Sequence, residues 1–201
     1  MANIFSNVLT FGFFICTTVN ATTIMREPLE EVFRRSDFVA IVHVIEGRAI
    51  QPLEDECGSI YKGQVIKAYK GEKEAVVEFG HFDGLMIGRR YLVFLTDPDH
   101  NYRSLSSTNS VSMGLEIERI NRCSAKWTGK KVMQGIHGAM IMDDVILGGM
   151  VEAVKVPTRF IDLPRSYKIT PFTPPVAEDY YTEPVWVLES EFTQLLKSYA
   201  K

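Results

Sequence analysis

The segment "CGSIYKGQVIKAYKG", residues 57–71, sets a cysteine at the head of a strand-like run and a Lys-Gly pair at its end. Apolar and aromatic side chains alternate with polar ones along the run, which is typical of a β-strand. Gly71 is expected to end the strand in a turn. Two groups of side chains are expected on opposite faces: Tyr61, Val65 and Tyr69 on one, and Ile60, Ile66 and Ala68 on the other. The cysteine before this strand is either a reactive thiol or one half of a disulfide.

Neighbouring segments predict further strands. Residues 38–45, "FVAIVHVI", are apolar on both alternating faces and rich in β-branched side chains, as expected for a strand buried on both sides. Gly47 predicts a bend after this strand. Residues 75–82 and 89–95 are predicted to form two more strands, with a glycine-containing turn or bulge over residues 83–88. Short strands at close spacing, with no long helix among them, predict a β-barrel or a β-sandwich.

Segments outside this region add a helix and more strands. Residues 27–37 carry apolar side chains at i, i+3 and i+4 and predict a short helix. Residues 111–120 alternate between apolar and acidic side chains, as in a strand with one face in water. Residues 132–156 predict two strands about a turn at Asp143 and Asp144, and a helix over residues 145–154 is the alternative.

The C-terminal part differs in composition, because six of the nine prolines fall between Pro157 and Pro184. Residues 169–186 are therefore expected to run extended over a surface, without a strand ladder or a helix. Their aromatic side chains pack either against the chain's own domain or against a partner. The candidate partner surface consists of Phe172, Tyr180, Tyr181 and Trp186. Residues 187–201 then predict an amphipathic terminal helix.

The N-terminus has the features of a secretory signal peptide. Residues 8–19 are apolar or weakly polar, a length that suits the apolar region of a signal peptide and falls short of the roughly 20 residues that a transmembrane helix needs. Small residues precede a cleavage point between Ala21 and Thr22. An uncleaved anchor and a buried N-terminal strand are the alternatives. We therefore expect a secreted or periplasmic protein that meets the membrane only through its signal peptide.

Of the three cysteines, Cys16 lies in the apolar run and would be removed with the signal peptide. Cys57 and Cys123 would then remain as an even pair in a chain bound for an oxidising space, which favours a disulfide. Closing a loop of about 65 residues would stabilise the fold by roughly 4 kcal/mol through the entropy lost by the unfolded chain. The alternative is a nucleophilic thiol, which needs a base and an electropositive setting. No histidine lies near either cysteine in the sequence.

The net charge and the absence of known motifs argue against several classes of function. The net charge of -3 argues against nucleic acid and anionic membranes as partners. The four histidines lack metal-ligand spacing, and the sequence has no hydrolase elbow, phosphate-binding loop or dinucleotide fingerprint. We therefore predict no metal, no cofactor and no catalytic residue. The alternative is a hydrolase with a dispersed site, for which His81, Asp83 and His100 are the candidate side chains.

Three short motifs follow one another in the first part of the chain: "SDFVAIVHVIEG" (residues 36–47), "CGSIYKGQVIKAYKG" (57–71) and "IGRRYLVFL" (87–95). With the downstream Cys123, they resemble the oligonucleotide/oligosaccharide-binding-like (OB-like) barrel of the tissue inhibitors of metalloproteinases and the wider netrin-like group, in the form seen in exported bacterial proteins. The resemblance implies a five-stranded barrel, a binding role and a disulfide role for the two cysteines. Those inhibitors chelate the protease zinc through an amino-terminal cysteine, whereas the mature chain here is expected to begin at Thr22. The resemblance therefore does not imply an inhibitory mechanism.

The sequence thus predicts an all-β protein in three parts. These are a signal peptide at residues 1–21, an OB-like barrel domain with additional strands at residues 22–156, and a Pro-rich arm with a short terminal helix at residues 157–201. The expected function is binding of a protein or a cell-envelope component. A hydrolase with a dispersed site and a structural or adhesive envelope protein are the alternatives.

Overall fold

The computed structural model describes residues 27–51, 57–82, 84–97, 123, 126, 131–133, 138–146, 150–158, 161–165 and 185–200. These residues are mainly β, which confirms the predicted fold class. The strands are β1 (Glu27–Pro28), β2 (Phe38–Ala49), β3 (Ser59–Lys70), β4 (Val76–His81), β5 (Arg90–Thr96), β6 (Lys131–Met133), β7 (Ala139–Ile146), β8 (Met150–Val156), β9 (Ile161–Asp162) and β10 (Val185–Leu188). The helices are α1 (Leu29–Arg35) and α2 (Glu189–Tyr199).

Eight strands form one sheet in the order β10-β8-β7-β5-β2-β3-β4-β6. Strand β6 lies parallel to β4 and antiparallel to β5, and it pairs with each over only two residue pairs. Strands β2 to β6 therefore curl into a barrel that β6 closes only over these short pairings. Along the rest of its length the barrel is open. Strands β7, β8 and β10 extend the sheet from β5. Strands β1 and β9 form a separate parallel pair.

Apolar side chains are buried on both faces of the sheet, as predicted for β2. The inner cluster lies within the curled strands and consists of Phe38, Ala40, Val42, Val44, Tyr61, Val77, Phe79, Tyr91, Val93 and Leu95. The helix-side cluster lies between the opposite face and the two helices; its largest members are Leu29, Phe33, Leu92, Phe94, Met140, Met142, Phe192 and Leu196. Burial of this apolar surface supplies the main favourable free energy of folding.

Two bulges determine on which face of the sheet each side chain of β3 lies. Where β3 pairs with β2, the pairing skips Ile66 and Tyr69. Each skipped residue shifts the alternation of faces by one position. As a result Val65 and Ala68 both pack on the inner cluster, whereas Tyr69 packs on the helix-side cluster. The alternation predicted for residues 60–69 is therefore wrong beyond Val65.

Both predicted helices are present. Helix α1 buries Leu29, Val32 and Phe33, and its acidic first turn and basic last turn suit the helix dipole. Helix α2 buries Phe192 and Leu196 on its apolar face. The two helices contact each other and cover the same face of the sheet.

The predicted turn at Asp143 and Asp144 is wrong, because both residues lie within β7. Strands β7 and β8 are antiparallel and are connected by residues 147–149, so the alternative of a helix here is wrong too. The two acidic side chains have a structural reason to stand in a strand. Asp143 pairs with Arg89 and Asp144 with Arg90, at distances of 3.3 and 3.2 Å.

Two other predicted boundaries also differ. Strand β2 continues through Gly47 to Ala49, and the irregularity in its pairing falls at Ile45 instead of Gly47. Residues 185–186 were expected in the extended arm, but they begin β10 and pair with β8. No proline follows Pro184, so the backbone amides that a ladder requires are available there.

Several predictions concern residues outside those that the structure describes. These are the signal peptide at residues 1–21, the strand at residues 111–120 and the central part of the arm, residues 166–184. The described C-terminal residues join the main sheet through β10 and the helix-side cluster through α2.

Candidate binding surface

Cys57 and Cys123 form a disulfide, which confirms the predicted pairing and rules out the nucleophilic thiol. Their Cα atoms are 5.4 Å apart, and both residues are buried in a small apolar cluster with Ile50 and Ile60. Gly58 follows in a left-handed conformation (φ +74°), and a Cβ there would overlap the backbone carbonyl oxygen of His81. The chain therefore enters β3 by a path that only glycine fits without strain.

The connection between β4 and β5 is held in place by two buried tyrosines. The Leu85 N–H donates a hydrogen bond to the Tyr61 hydroxyl, and the Met86 N–H donates one to the Tyr91 hydroxyl, both at 2.9 Å. Tyr61 and Tyr91 belong to the inner cluster, so their rings are fixed by the packing of the barrel. The position of this loop is thus set by the core beneath it.

Backbone hydrogen bonds hold the other side of the same loop. The Gly88 N–H donates to the Val44 carbonyl at 2.7 Å, and the Val44 N–H donates to the Arg89 carbonyl at 3.0 Å. The Arg89 N–H donates to the Met86 carbonyl at 3.3 Å, which closes the turn. Residues 84–89 are therefore attached both to β2 and to the inner cluster.

This firmly held loop exposes large apolar side chains. Met86 is 51% exposed and Ile87 is 62% exposed, and on the adjoining strand β2 the bulged Ile45 is 46% exposed. We name these three residues the apolar tip. Gly47 lies beneath it: a Cβ there would meet the Tyr61 ring at 3.0 Å and the Ile87 side chain at 3.8 Å. The small residue lets Tyr61 lie against β2 and support the loop.

Charged residues near the apolar tip form pairs of opposite sign. Besides the pairs Arg89–Asp143 and Arg90–Asp144, Arg90 contacts Glu152 at 2.7 Å. Lys62 contacts Glu46 at 2.8 Å. The hydrogen bond from Lys62 is the main cause of a lowered Glu46 pKa, and the charge of Arg48 adds to it. Ion-paired side chains thus lie next to the apolar tip along the chain, at Glu46 and Arg89, and on the neighbouring strands.

Three further large apolar side chains are exposed on the described part of the chain. Ile66, a bulge residue, and Val76 lie on β3 and β4. Met150 begins β8 at the β7–β8 connection and is 77% exposed. Single exposed apolar residues are common on protein surfaces. The apolar tip differs because two adjacent ones are presented on a loop of fixed shape.

A polar cluster lies at the far end of β3. Glu189, at the start of α2, accepts hydrogen bonds from Lys67 Nζ at 2.7 Å, the Tyr69 hydroxyl at 3.1 Å and Thr193 Oγ1 at 2.7 Å. Burial alone would raise the pKa of Glu189, but the hydrogen bonds, those from Lys67 and Thr193 foremost, outweigh burial and lower it. Burial raises the pKa of Tyr69. At neutral pH the cluster is therefore an ion pair with a neutral hydroxyl, and it ties α2 to β3.

The structure locates only part of the candidate partner surface that the sequence suggests. Trp186 is 8% exposed and packs with Ala153 and Val151. Its indole is therefore not available to a partner. The other members lie outside the described residues: Phe172, Tyr180 and Tyr181.

The candidate side chains of a dispersed hydrolase site are also only partly described. His81 is buried at the end of β4, whereas Asp83 and His100 lie outside the described residues. His43 is half-buried on β2, as expected for a structural histidine. Within the described ranges, no group of three His, Cys, Asp or Glu side chains is placed to hold a metal ion.

The apolar tip was missed by sequence analysis, which took residues 83–88 for a turn or bulge only. The available signal was the apolar run Leu85, Met86 and Ile87 between two glycines. Turns are usually polar. Three apolar residues in a single turn therefore indicate that they pack either on the core or on a partner. Leu85 is received by the inner cluster, whereas the other two are left at the surface.

No family model, curated protein or solved structure matches this chain. Neither of the two helices in the described part of the chain is long and apolar enough to cross a membrane.

Proposed function

We propose that this protein is an exported binding module that recognises a protein or a cell-envelope component through its apolar tip. The observation that carries the proposal is a loop fixed by Tyr61, Tyr91 and Val44 that nevertheless leaves Met86 and Ile87 more than half exposed. A loop that is already fixed loses little backbone entropy on binding, so less of the free energy gained by burying its apolar side chains is spent on ordering the loop.

The order of the barrel strands supports the suggested kinship with OB-like barrels. Strand β2 pairs with β3 and β5, β3 pairs with β4, and β6 joins β4 to β5. An OB barrel is likewise a five-stranded, partly open barrel, and members of that architecture bind ligands on strands and loops at its surface. A binding role on this scaffold is the part of the resemblance that we propose here.

Export is supported by the buried disulfide, since such bonds persist in oxidising compartments and are rare in the cytosol. Mass spectrometry of the protein purified from its native host tests this point. We expect a mature chain that begins at Thr22 with Cys57 and Cys123 joined. An intact residue 1–21 segment together with two free thiols would contradict export.

Site-specific photo-crosslinking tests the binding surface. A photoreactive phenylalanine analogue at Ile87 is expected to crosslink one specific component when the protein is produced in its native host. The same analogue at Ile66, which is 56% exposed and lies beside Lys67 at the other end of β3, serves as the matched control. Equal crosslinking at both positions, or none at Ile87, would contradict the proposed surface.

A further inference from the structure

The hydroxyl groups of Tyr61 and Tyr91 are hydrogen-bonded to the backbone of the loop that carries Met86 and Ile87. They accept hydrogen bonds from two consecutive amides, Leu85 and Met86, and these amides directly precede the most exposed part of the loop. Both rings are buried in the inner cluster, where they cannot follow a moving loop. Loss of either hydroxyl therefore releases one of these two amides and leaves the core around it packed.

The charge balance around the tip indicates what kind of partner it fits. The described cations beside it are Arg48, Lys62, Arg89 and Arg90, and the described anions are Glu46, Asp143, Asp144 and Glu152. An anionic bilayer is attracted by basic residues in excess, at about 1 kcal/mol for each near the surface. Four described cations against four described anions give no such excess. A protein interface, by contrast, combines an apolar centre with a polar rim.

We propose that Tyr61 and Tyr91 are positioning residues that hold Met86 and Ile87 in the shape required by an uncharged apolar pocket of a protein partner. This inference rests on the proposed function and names the class of its partner. Preorganisation by the two hydroxyls matters because an ordered loop has less entropy left to lose when the complex forms.

Amide hydrogen exchange of the purified protein tests the positioning role without any partner. Tyr61→Phe is expected to speed exchange at the Leu85 amide about fivefold, and Tyr91→Phe to do the same at Met86, as the loss of one net hydrogen bond implies. Tyr199→Phe is the matched control, because the Tyr199 hydroxyl is buried and makes no hydrogen bond within the described residues. Unchanged exchange at both loop amides would overturn the positioning role.

The partner class is tested by crosslinking from Ile87 in the tyrosine variants. Tyr61→Phe and Tyr91→Phe are expected to lower the yield of the crosslinked protein severalfold, and Tyr199→Phe to leave it unchanged. Raising the salt to about 0.5 M should not reduce the yield, since screening weakens contacts between charges and leaves apolar contacts intact. A steep loss of yield with salt would overturn the uncharged pocket.

Vesicles of phosphatidylglycerol and phosphatidylcholine in equal parts test whether the apolar tip binds a membrane instead of a protein. The full-length protein is expected to remain in the supernatant when the vesicles are sedimented. Sedimentation that is lost in the Ile87→Glu variant would overturn the protein partner and assign the tip to a bilayer. Crosslinking at Ile87 that survives in the tyrosine variants would leave the binding surface standing and remove only the positioning role, so the two proposals fail separately.

Discussion

The two ends of β3 are tied to the rest of the protein by different kinds of bond. Just before β3, Cys57 is joined to Cys123 by a disulfide within a buried apolar cluster. At the far end, Lys67 and Tyr69 hold α2 through hydrogen bonds to Glu189, in a setting that is partly open to water. Water can replace the hydrogen bonds to Glu189, and protonation of its carboxylate weakens them. Neither breaks the disulfide.

The covalent end is also the end that carries the apolar tip. Tyr61 stands four residues after Cys57 and accepts the hydrogen bond from the loop. The chain is therefore most strongly constrained where it must present apolar side chains in a fixed shape. The polar end only attaches a helix, whose position is already set by the burial of Phe192 and Leu196.

Removal of the disulfide should have the largest effect on stability. The double variant Cys57→Ala, Cys123→Ala is expected to lose about 4 kcal/mol in the free energy of unfolding, since the bond spans 66 residues and limits the entropy of the unfolded chain. Urea unfolding measures this loss, and reduction of the unaltered protein should reproduce it. A loss below about 1 kcal/mol would mean that the two ends of β3 are tied with similar strength.

Gly58→Ala should follow, with a loss of about 2 to 3 kcal/mol, because the left-handed backbone is strained and the new Cβ overlaps the His81 carbonyl. Gly84→Ala is its control: nothing lies within 4 Å of a Cβ there, and we expect a change within about 0.5 kcal/mol. Similar losses in both variants would show that the path into β3 is not specially constrained.

At the polar end, Glu189→Gln should cost about 1 to 2 kcal/mol at neutral pH, because the charged acceptor of three hydrogen bonds is lost. Glu72→Gln, on the exposed turn after β3, is the control and should change little.

The same pair of variants gives the pH dependence of the polar end. The pKa of Glu189 is lower in the folded state than in the unfolded state. Its contribution is therefore complete above the unfolded pKa of about 4.3 and disappears as the pH falls through the folded pKa. The difference in stability between the unaltered protein and Glu189→Gln should vanish in acid, whereas the disulfide contribution should persist. A difference that is independent of pH would show that the charge of Glu189 is not involved.

The smallest change in stability is expected at the apolar tip itself. Met86→Glu combined with Ile87→Glu should alter the free energy of unfolding by less than about 1 kcal/mol, because more than half of each residue is already exposed to water. The same variant should abolish the crosslink from a photoreactive residue at Ile45, whereas Ile66→Glu, at the other end of β3, should not. A marked loss of stability would indicate that the tip packs on the fold and is not free to receive a partner.

The strands and helices were largely predictable because their signals are local. The apolar periods of α1, β2 and α2 identify these elements, and Gly71 marks the end of β3 with a left-handed backbone (φ +87°). The faces of β3 beyond Val65 were not predictable, since a bulge arises from pairing with β2 and leaves no mark in the sequence of β3. The acidic pair in β7 was wrongly predicted to form a turn for a related reason: its arginine partners lie 54 residues away in the chain.

By itself the sequence determined the mainly β composition and the two amphipathic helices, because periodicity and composition are properties of the chain alone. It favoured the joining of Cys57 to Cys123 through the expectation that the third cysteine, Cys16, is removed with a signal peptide. Only the tertiary structure decided which apolar residues are left in water. Leu85, Met86 and Ile87 are equivalent as a run of letters, yet the first packs on the inner cluster and the other two are exposed. That difference depends on where Tyr61, Tyr91 and Val44 bring their hydrogen-bonding groups, and contacts between distant segments exist only once the chain has folded.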